Sequence, residues 1–535
     1  MSDKQKNILS ITIVAILGFV AFLLIYGEIL DPRYDAWLLT AGPDPVQQYL
    51  GWIMYSVADW SWPIGLASNY AYPFGIAVSF TDSIPILAIF FKSIRFILPQ
   101  TFQYFGLWIA ICFVLQGVFG YLLSSLFFKK RLAAILASLF FILSPIMLFR
   151  LGGHFALGGH FLILAALWTI LAQHNKISYL KWSLILVVSL LVHPYLLFIN
   201  LFLLLVDLLN LYFVRKKIGL KDTLYFLVFE EGLIFLLAYI LGLFLTGNAK
   251  APGYGDFSMN LNAIFNPMGW SNILPDLGII RYQAEGFNYL GFGTLLLLFA
   301  SAVKFFVKTN LKQFIYKQWP LILISLILIL ISISHVVAFN FYILFSLPLG
   351  KFLSEDVLGL FRSSGRFFWP VFYILVLSSF YILKTLKYKL ALLILIITLS
   401  IQFYDLSGIL KQRGQTFEGQ VFRETILTTE FKEASQNYQH LAFYPVIPHK
   451  NYMIFAMFAA QNDISVNNGH FARPIVGQDE YLANQMEKIQ AGHLDEDTIY
   501  VFSRDADMFV ENLKMEDHLY IPIDNTFVLF PYYIK

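Results

Sequence analysis

Long apolar runs recur along the chain as far as about residue 405, some joined by short basic turns, and a different pattern follows. The first run, 8–26, is about 19 residues long, more than the roughly 7–15 of a signal-peptide core. It continues into Gly27-Glu28-Ile29-Leu30 without a small-x-small cleavage site, so it reads as a retained signal anchor. Further runs near 102–128, 132–149, 156–173, 179–194, 196–214, 222–246, 287–307, 319–337, 367–385 and 388–405 predict about eleven crossings in total. The run 84–98 is shorter and holds Lys92 and Arg95, which predicts an amphipathic or re-entrant helix at the interface. His193-Pro194-Tyr195 supplies the break between two spans.

After Lys411 no run is long enough to span, and 17 of the chain's 34 acidic residues lie there. Alternation in 441–447, 498–502 and 520–533 predicts strands, the last stretch a hairpin about Asp524-Asn525, while 421–437, 479–490 and 506–514 read as helices. The expected organisation is a transmembrane domain over 1–405, with outer loops at 28–101 and 247–286, and a small soluble α/β domain over 406–535.

Composition agrees with a multi-pass membrane protein: 58% of residues are apolar and 13% charged, with 54 Phe. Soluble domains run at about 45–50% and about 25%. A net charge of +3 over 535 residues, with no run of five basic residues, gives no footprint for nucleic acid. The single cysteine, Cys112, excludes an internal disulfide and a CxxC site.

Charge distribution orients the chain. The turns holding Lys129-Lys130-Arg131, Arg215-Lys216-Lys217, Lys304 to Lys317, and Lys384, Lys387 and Lys389 belong in the cytoplasm. Between Glu28 and Phe91 there are six carboxylates and one basic residue, Arg33, which belongs outside. Lys4 and Lys6, before the first run, place the N-terminus in the cytoplasm, and the C-terminal domain is then expected to be extracytoplasmic.

Candidate chemistry gathers in the outer loops. Asp44, in Gly42-Pro43-Asp44-Pro45-Val46-Gln47, is held between two fixed-φ prolines. It reads equally as a general base for an incoming hydroxyl and as the cap of a helix over 46–55. Asp82, in Thr81-Asp82-Ser83-Ile84-Pro85, reads first as a helix cap. His154 and His160 stand in a near-repeat, Gly-Gly-His-Phe, six residues apart, which is not the i, i+4 spacing of a helical metal pair. With Arg150 nearby they are candidates for contacting an anion, against the plainer reading of interface histidines. Arg362 and Arg366, in Phe361-Arg-Ser-Ser-Gly-Arg-Phe-Phe-Trp-Pro370, share a face if the segment is helical and present forked donors to phosphate; the plainer reading is membrane anchoring. The 247–286 loop offers Asn260, Asn262, Asn266, Gln283, Glu285 and Trp270, groups common both to sugar sites and to ordinary loops. No motif calls for a cofactor or a metal; a divalent metal stays an open alternative.

The motifs Gly-Pro-Asp44-Pro-x-Gln47-x-Tyr-Leu-Gly-Trp52, Phe80-Thr-Asp82-Ser-Ile-Pro, Glu285-Gly-Phe-x-Tyr-Leu-Gly291 and Ser364-Gly-Arg366-Phe-Phe-Trp-Pro370 resemble an uncharacterised bacterial family of multi-pass membrane proteins related to the GT-C glycosyltransferases. The resemblance extends to about residue 405, and departs from the usual pattern where Pro43 stands between Gly42 and Asp44. It implies an all-α GT-C-like polytopic fold with a C-terminal α/β extracytoplasmic domain in the bacterial cytoplasmic membrane. It also implies an inverting transferase that takes a sugar from a polyprenyl-phosphate donor, among membrane lipids, to an envelope glycan, teichoic-type polymer or lipid acceptor. The superfamily's loop acid matches Asp44, and its basic phosphate grip falls on Arg362 and Arg366. Gln47, Asp82, His154, His160 and Glu285 are the further candidates for substrate contact. A transporter of lipid-linked saccharide, or a non-enzymatic envelope-assembly protein, remains the alternative; the former needs ionisable residues inside spans, where only Asp207, Glu230, Glu231 and a few boundary charges stand.

Overall fold

The computed structural model describes residues 2–172, 174–245, 253–280, 282–308, 310–348, 354–422, 427–444, 452–503, 518–523 and 526–533. Its helices are α1 (Asp3–Tyr26), α2 (Ala36–Thr40), α3 (Pro43–Val57), α4 (Pro85–Ser93), α5 (Phe105–Ser125), α6 (Arg131–Ile142), α7 (Pro145–Arg150), α8 (Phe161–Leu171), α9 (Tyr179–Val192), α10 (Pro194–Leu209), α11 (Leu220–Ile240), α12 (Phe292–Lys308), α13 (Leu311–Ile333), α14 (Glu355–Leu360), α15 (Trp369–Leu383), α16 (Tyr388–Phe417), α17 (Thr429–Ala434), α18 (Tyr452–Gln461) and α19 (Gln478–Gln490). Its strands are β1 (Leu66–Ala67), β2 (Ile76–Ala77), β3 (Val336–Phe339), β4 (Tyr342–Ser346), β5 (His440–Tyr444), β6 (Ser465–Val466), β7 (Thr498–Ser503), β8 (His518–Ile523) and β9 (Thr526–Pro531). The chain divides into two compact units: one of Met1–Asp31, Tyr104–Phe235 and Ala251–Glu418, the other of Pro32–Gln103, Leu236–Lys250 and Gly419–Lys535.

The first unit is a bundle of apolar helices. Among the described residues of the whole chain, eight helical stretches are long and apolar enough to cross a membrane, and they fall on eight of the eleven predicted runs. The runs at 156–173, 179–194 and 287–307 form shorter apolar helices. Leu24, Phe299 and Leu330 expose most of their surface, as side chains facing lipid do. Close packing rests on small residues: a Cβ on Gly18 of α1 would lie 2.5 Å from the carbonyl oxygen of Phe113 in α5. Pro145 ends α6 and starts α7, and His193 separates α9 from α10, its Nδ1 accepting the Tyr195 N–H at 3.1 Å. α16 differs from expectation, running 30 residues without a break to Phe417, well past 405. Asp405 on it accepts the Tyr289 hydroxyl at 2.8 Å and the Phe292 N–H at 2.8 Å, tying the 271–292 segment to the helix.

In the second unit the 32–103 segment folds together with the C-terminal segment, where the sequence suggested a separate C-terminal domain. α4 has nine residues, too few to cross. The Tyr72 N–H donates to Val466 O at 2.9 Å, the Val466 N–H to Asn69 O at 2.8 Å, and the Ala472 N–H to Phe80 O at 2.8 Å. A five-stranded sheet has the order β6-β5-β7-β9-β8, with β5 parallel to β6 and β7, and β9 antiparallel to β7 and β8. One face of β5 and β7 packs Ala442, Tyr444, Tyr500 and Phe502 against Ile489 and Leu494, a small core of its own. The predicted helix over 421–437 shortens to α17. The 506–514 helix and the Asp524-Asn525 turn lie outside the described residues.

Candidate functional site

Two of the sequence motifs meet in the first unit because two glycines let them. A Cβ on Gly365 would lie 2.6 Å from Gly286 Cα, nearer than real Cβ atoms come. Asn288 fixes the pair by donating from Nδ2 to Gly286 O and to Gly365 O, both at 3.0 Å. The residues beside these glycines, Glu285 and Arg366, are thereby held in contact: Arg366 Nη2 donates to Glu285 Oε2 at 3.2 Å. Arg150, the last residue of α7, donates to the same oxygen from Nη1 at 2.6 Å and to Glu285 O from Nη2. His154 Nε2 lies 3.5 Å from Glu285 Oε1. One carboxylate therefore joins two guanidinium groups and an imidazole.

Burial acts to raise the Glu285 pKa, but the Arg150 charge, the hydrogen bond from His154 and the Arg366 charge hold it well below the usual carboxylate range. Both arginines are almost wholly shielded, Arg150 at 1% exposure and Arg366 at 8%. Arg150 lies over the Phe149 ring at 4.9 Å, and Arg366 over the Tyr195 ring at 4.7 Å. A third arginine, Arg413, from the part of α16 that the sequence left outside the span, contacts the turn that follows Arg150. Its Nη1 donates to Gly152 O at 3.1 Å, and its guanidinium lies 5.4 Å from the Trp270 ring. The Nε atoms of Arg366 and Arg413 are buried without a hydrogen-bond partner.

The other candidates separate. Arg362 precedes the 3₁₀ segment Ser364–Phe368, so it shares no α-helical face with Arg366 and takes no part in the Glu285 contacts. His160 is fully buried, where an interface position was the plainer expectation; its Nδ1 is 2.8 Å from the Tyr373 hydroxyl, and its ring packs on Trp369 at 4.3 Å. The loop amides are committed to structural bonds within the loop and, for Asn260 and Asn262, to Asn340. Asn260 Nδ2 donates to Gln283 Oε1 at 2.7 Å, Asn262 Nδ2 to Gly278 O at 2.7 Å, and Asn266 Nδ2 to Leu277 O at 2.8 Å.

Asp44 and Gln47 belong to the second unit. Gly42 has φ +121°, which only glycine adopts readily, and Pro43 enters α3 where the helix needs no N–H donor. Gly42, and not Asp44, is the cap; Asp44 stands in the first turn, where the helix dipole favours a carboxylate. Ser83 Oγ to Gln48 O at 2.7 Å and Trp52 Nε1 to Phe102 O at 2.7 Å fix the helix. Gln47 lines a 310 Å³ cavity with Pro43, Val46, Tyr70, Tyr452 and His470. Asp82 is not a helix cap: it has φ +56° and ends a 3₁₀ turn, two residues before Ile84 leads into α4. No group of three or more His, Cys, Asp or Glu converges into a metal site among the described residues.

The family described as "Domain of unknown function (DUF6311)" matches residues 15–407, and the "DUF6311 C-terminal domain" matches 430–531. No match was found among curated proteins. Among solved structures, the archaeal oligosaccharyltransferase AglB from Archaeoglobus fulgidus, in complex with an inhibitory peptide and a dolichol-phosphate, is similar at 13% identity with a TM-score of 0.44. That match covers 95% of this chain and 70% of the other. An Archaeoglobus fulgidus oligosaccharyltransferase in complex with Zn and sulfate is similar at 14% identity, with a TM-score of 0.41 over 97% of this chain and 73% of that one.

Proposed function

The chain belongs to the DUF6311 family, and we propose that it is a membrane glycosyltransferase. In this reading it moves a sugar from a polyprenyl-phosphate donor to a hydroxyl of an envelope glycan, teichoic-type polymer or lipid-linked saccharide, with inversion, on the extracytoplasmic face. The observation that carries the reading is the meeting of Arg150 and Arg366, from two separate apolar segments, on the one Glu285 carboxylate, with Arg413 bound to Gly152 O two residues from Arg150. Planar guanidinium forks make charge-assisted, bidentate bonds to phosphate oxygens, which is the chemistry such a pair of arginines offers.

The face follows from the lysines. α6 starts at Arg131, beside Lys129 and Lys130, and its continuation α7 ends at Arg150; Arg366 precedes α15, and Lys384 follows it. Basic turns stay in the cytoplasm, so the arginine ends lie outside. Nucleotide sugars are not available there, and a donor must arrive on a lipid.

The acceptor oxygen attacks the anomeric carbon from the side opposite the phosphate, and its proton passes to a general base, for which the motif around Asp44 offers the candidate. The bond from carbon to phosphate oxygen breaks, and its electron pair stays on the phosphate. The Arg150 and Arg366 guanidinium groups stabilise that charge, and Glu285 positions the two.

The test is transfer from a defined polyprenyl-phosphate-sugar donor in one lipid. Arg150→Lys and Arg366→Lys keep the charge but lose the planar fork, so each should slow transfer by about tenfold or more, with a double variant that is non-additive. Arg362→Lys, outside the cluster, should match wild type. Asp44→Asn should lower kcat by about 10²–10⁴ while the protein folds and binds donor. Wild-type rates in the first two variants remove the arginines from the site; a wild-type rate in Asp44→Asn leaves that residue a first-turn helix acid.

A further inference from the structure

The second unit holds a cleft of about 540 Å³ on the face of the sheet that presents His440 of β5. Tyr481 and Gln485 of α19 form one wall and the turn carrying Asp495 and Asp497 another. Tyr72, from the first outer loop, closes the rim: its ring stacks on His440 with centroids 4.0 Å apart and planes at 17°. We propose that this cleft binds a neutral saccharide, the flat Tyr72 and Tyr481 rings taking sugar C–H faces and the carboxylates and Gln485 taking hydroxyl groups.

Three features point to that ligand class. Aromatic rings give apolar area with little conformational entropy to lose, carboxylates only accept, and an amide both donates and accepts, which matches a ring of hydroxyls. Among the described residues no lysine or arginine lines the cleft, while Asp495, Glu496 and Asp497 do, a charge that disfavours a phosphate-bearing ligand. The volume falls in the roughly 300–1,000 Å³ range of small-molecule sites. The platform is preset: His440 Nδ1 is 2.6 Å from Ser465 Oγ and its Nε2 is 3.7 Å from Asp497 Oδ2, which fixes the ring on which Tyr72 lies.

Calling the saccharide an acceptor rests on the transferase reading; its binding does not. The experiment is saturation-transfer NMR on the full-length protein in nanodiscs, with cellotetraose, chitotetraose and maltotetraose as probes and glucose against glucose 1-phosphate as the charge control. At least one tetrasaccharide should bind. Tyr72→Ala and Gln485→Ala, at half-exposed positions, should each weaken it about tenfold, and glucose should bind better than its phosphate. Binding is read here without any transfer step, so a failed cleft and a failed transferase reading are told apart. Absence of binding by all three tetrasaccharides, unchanged binding in both cleft variants, or preference for glucose 1-phosphate would each overturn the proposal.

Discussion

Glu285 governs the arginine cluster at the scale of single residues, since it is the carboxylate that both Arg150 and Arg366 contact. Its folded pKa lies below the ordinary value of about 4.3, so the unfolded chain takes up the proton first as pH falls. The stability it contributes is present above about pH 4.3 and is lost as pH drops through the depressed folded value. Glu285→Gln should therefore melt below wild type at pH 7, by an amount equivalent to about 1–3 kcal/mol, with the gap constant down to about pH 5 and closing only below 4. Melting curves in detergent check this; a gap already closed at pH 5 would show that the arginines do not hold the carboxylate. Most of this cluster is legible in the sequence, because Glu285-Gly286 and Gly365-Arg366 stand out as motifs and Arg150 lies four residues before His154. Arg413 is not, since nothing in the stretch after 405 signals that the helix continues. The Arg362–Arg366 pairing fails because i, i+4 neighbours share a face only in an α-helix, and this segment is a turn followed by a 3₁₀ helix.

Among elements, the contact between the Glu285 turn and the 3₁₀ turn of Arg366 is the one most exposed to a single methyl group. Gly365→Ala would place a Cβ 2.6 Å from Gly286 Cα, and backbone on both sides leaves nothing flexible to move. The variant should lose about 1–3 kcal/mol of stability and most transfer activity. Gly153→Ala, whose Cβ meets nothing within 4 Å, should stay within about 0.5 kcal/mol of wild type. Equal effects in the two, read by thermal melts and transfer rates, would argue against the close approach. The strands β5, β7, β8 and β9 are readable because they are short runs rich in aromatic and β-branched residues, although burial along β5, β7 and β9 is nearly continuous rather than alternating. α18 is not: Ile454 to Ala460 are all buried, and a helix covered on every side carries no period to detect.

For the whole molecule, the orientation assigned from the lysines is open to direct measurement. Cys112 is buried, so introduced cysteines report alone. An impermeant maleimide should label Gln412→Cys in intact cells and Lys130→Cys only after permeabilisation; the reverse pattern would invert the scheme. The second unit also has a history that its final fold conceals. Residues 32–103 are translated early, yet their hydrogen-bonding partners Val466 and Ala472 lie in a segment that begins at Gly419. At about 5–20 residues per second, roughly 300 residues of translation separate the two, an interval of about 15–60 s. For that time the first loop waits with its apolar side chains uncovered, so maturation of this protein depends on whatever shields a half-built domain until the ribosome supplies the remainder.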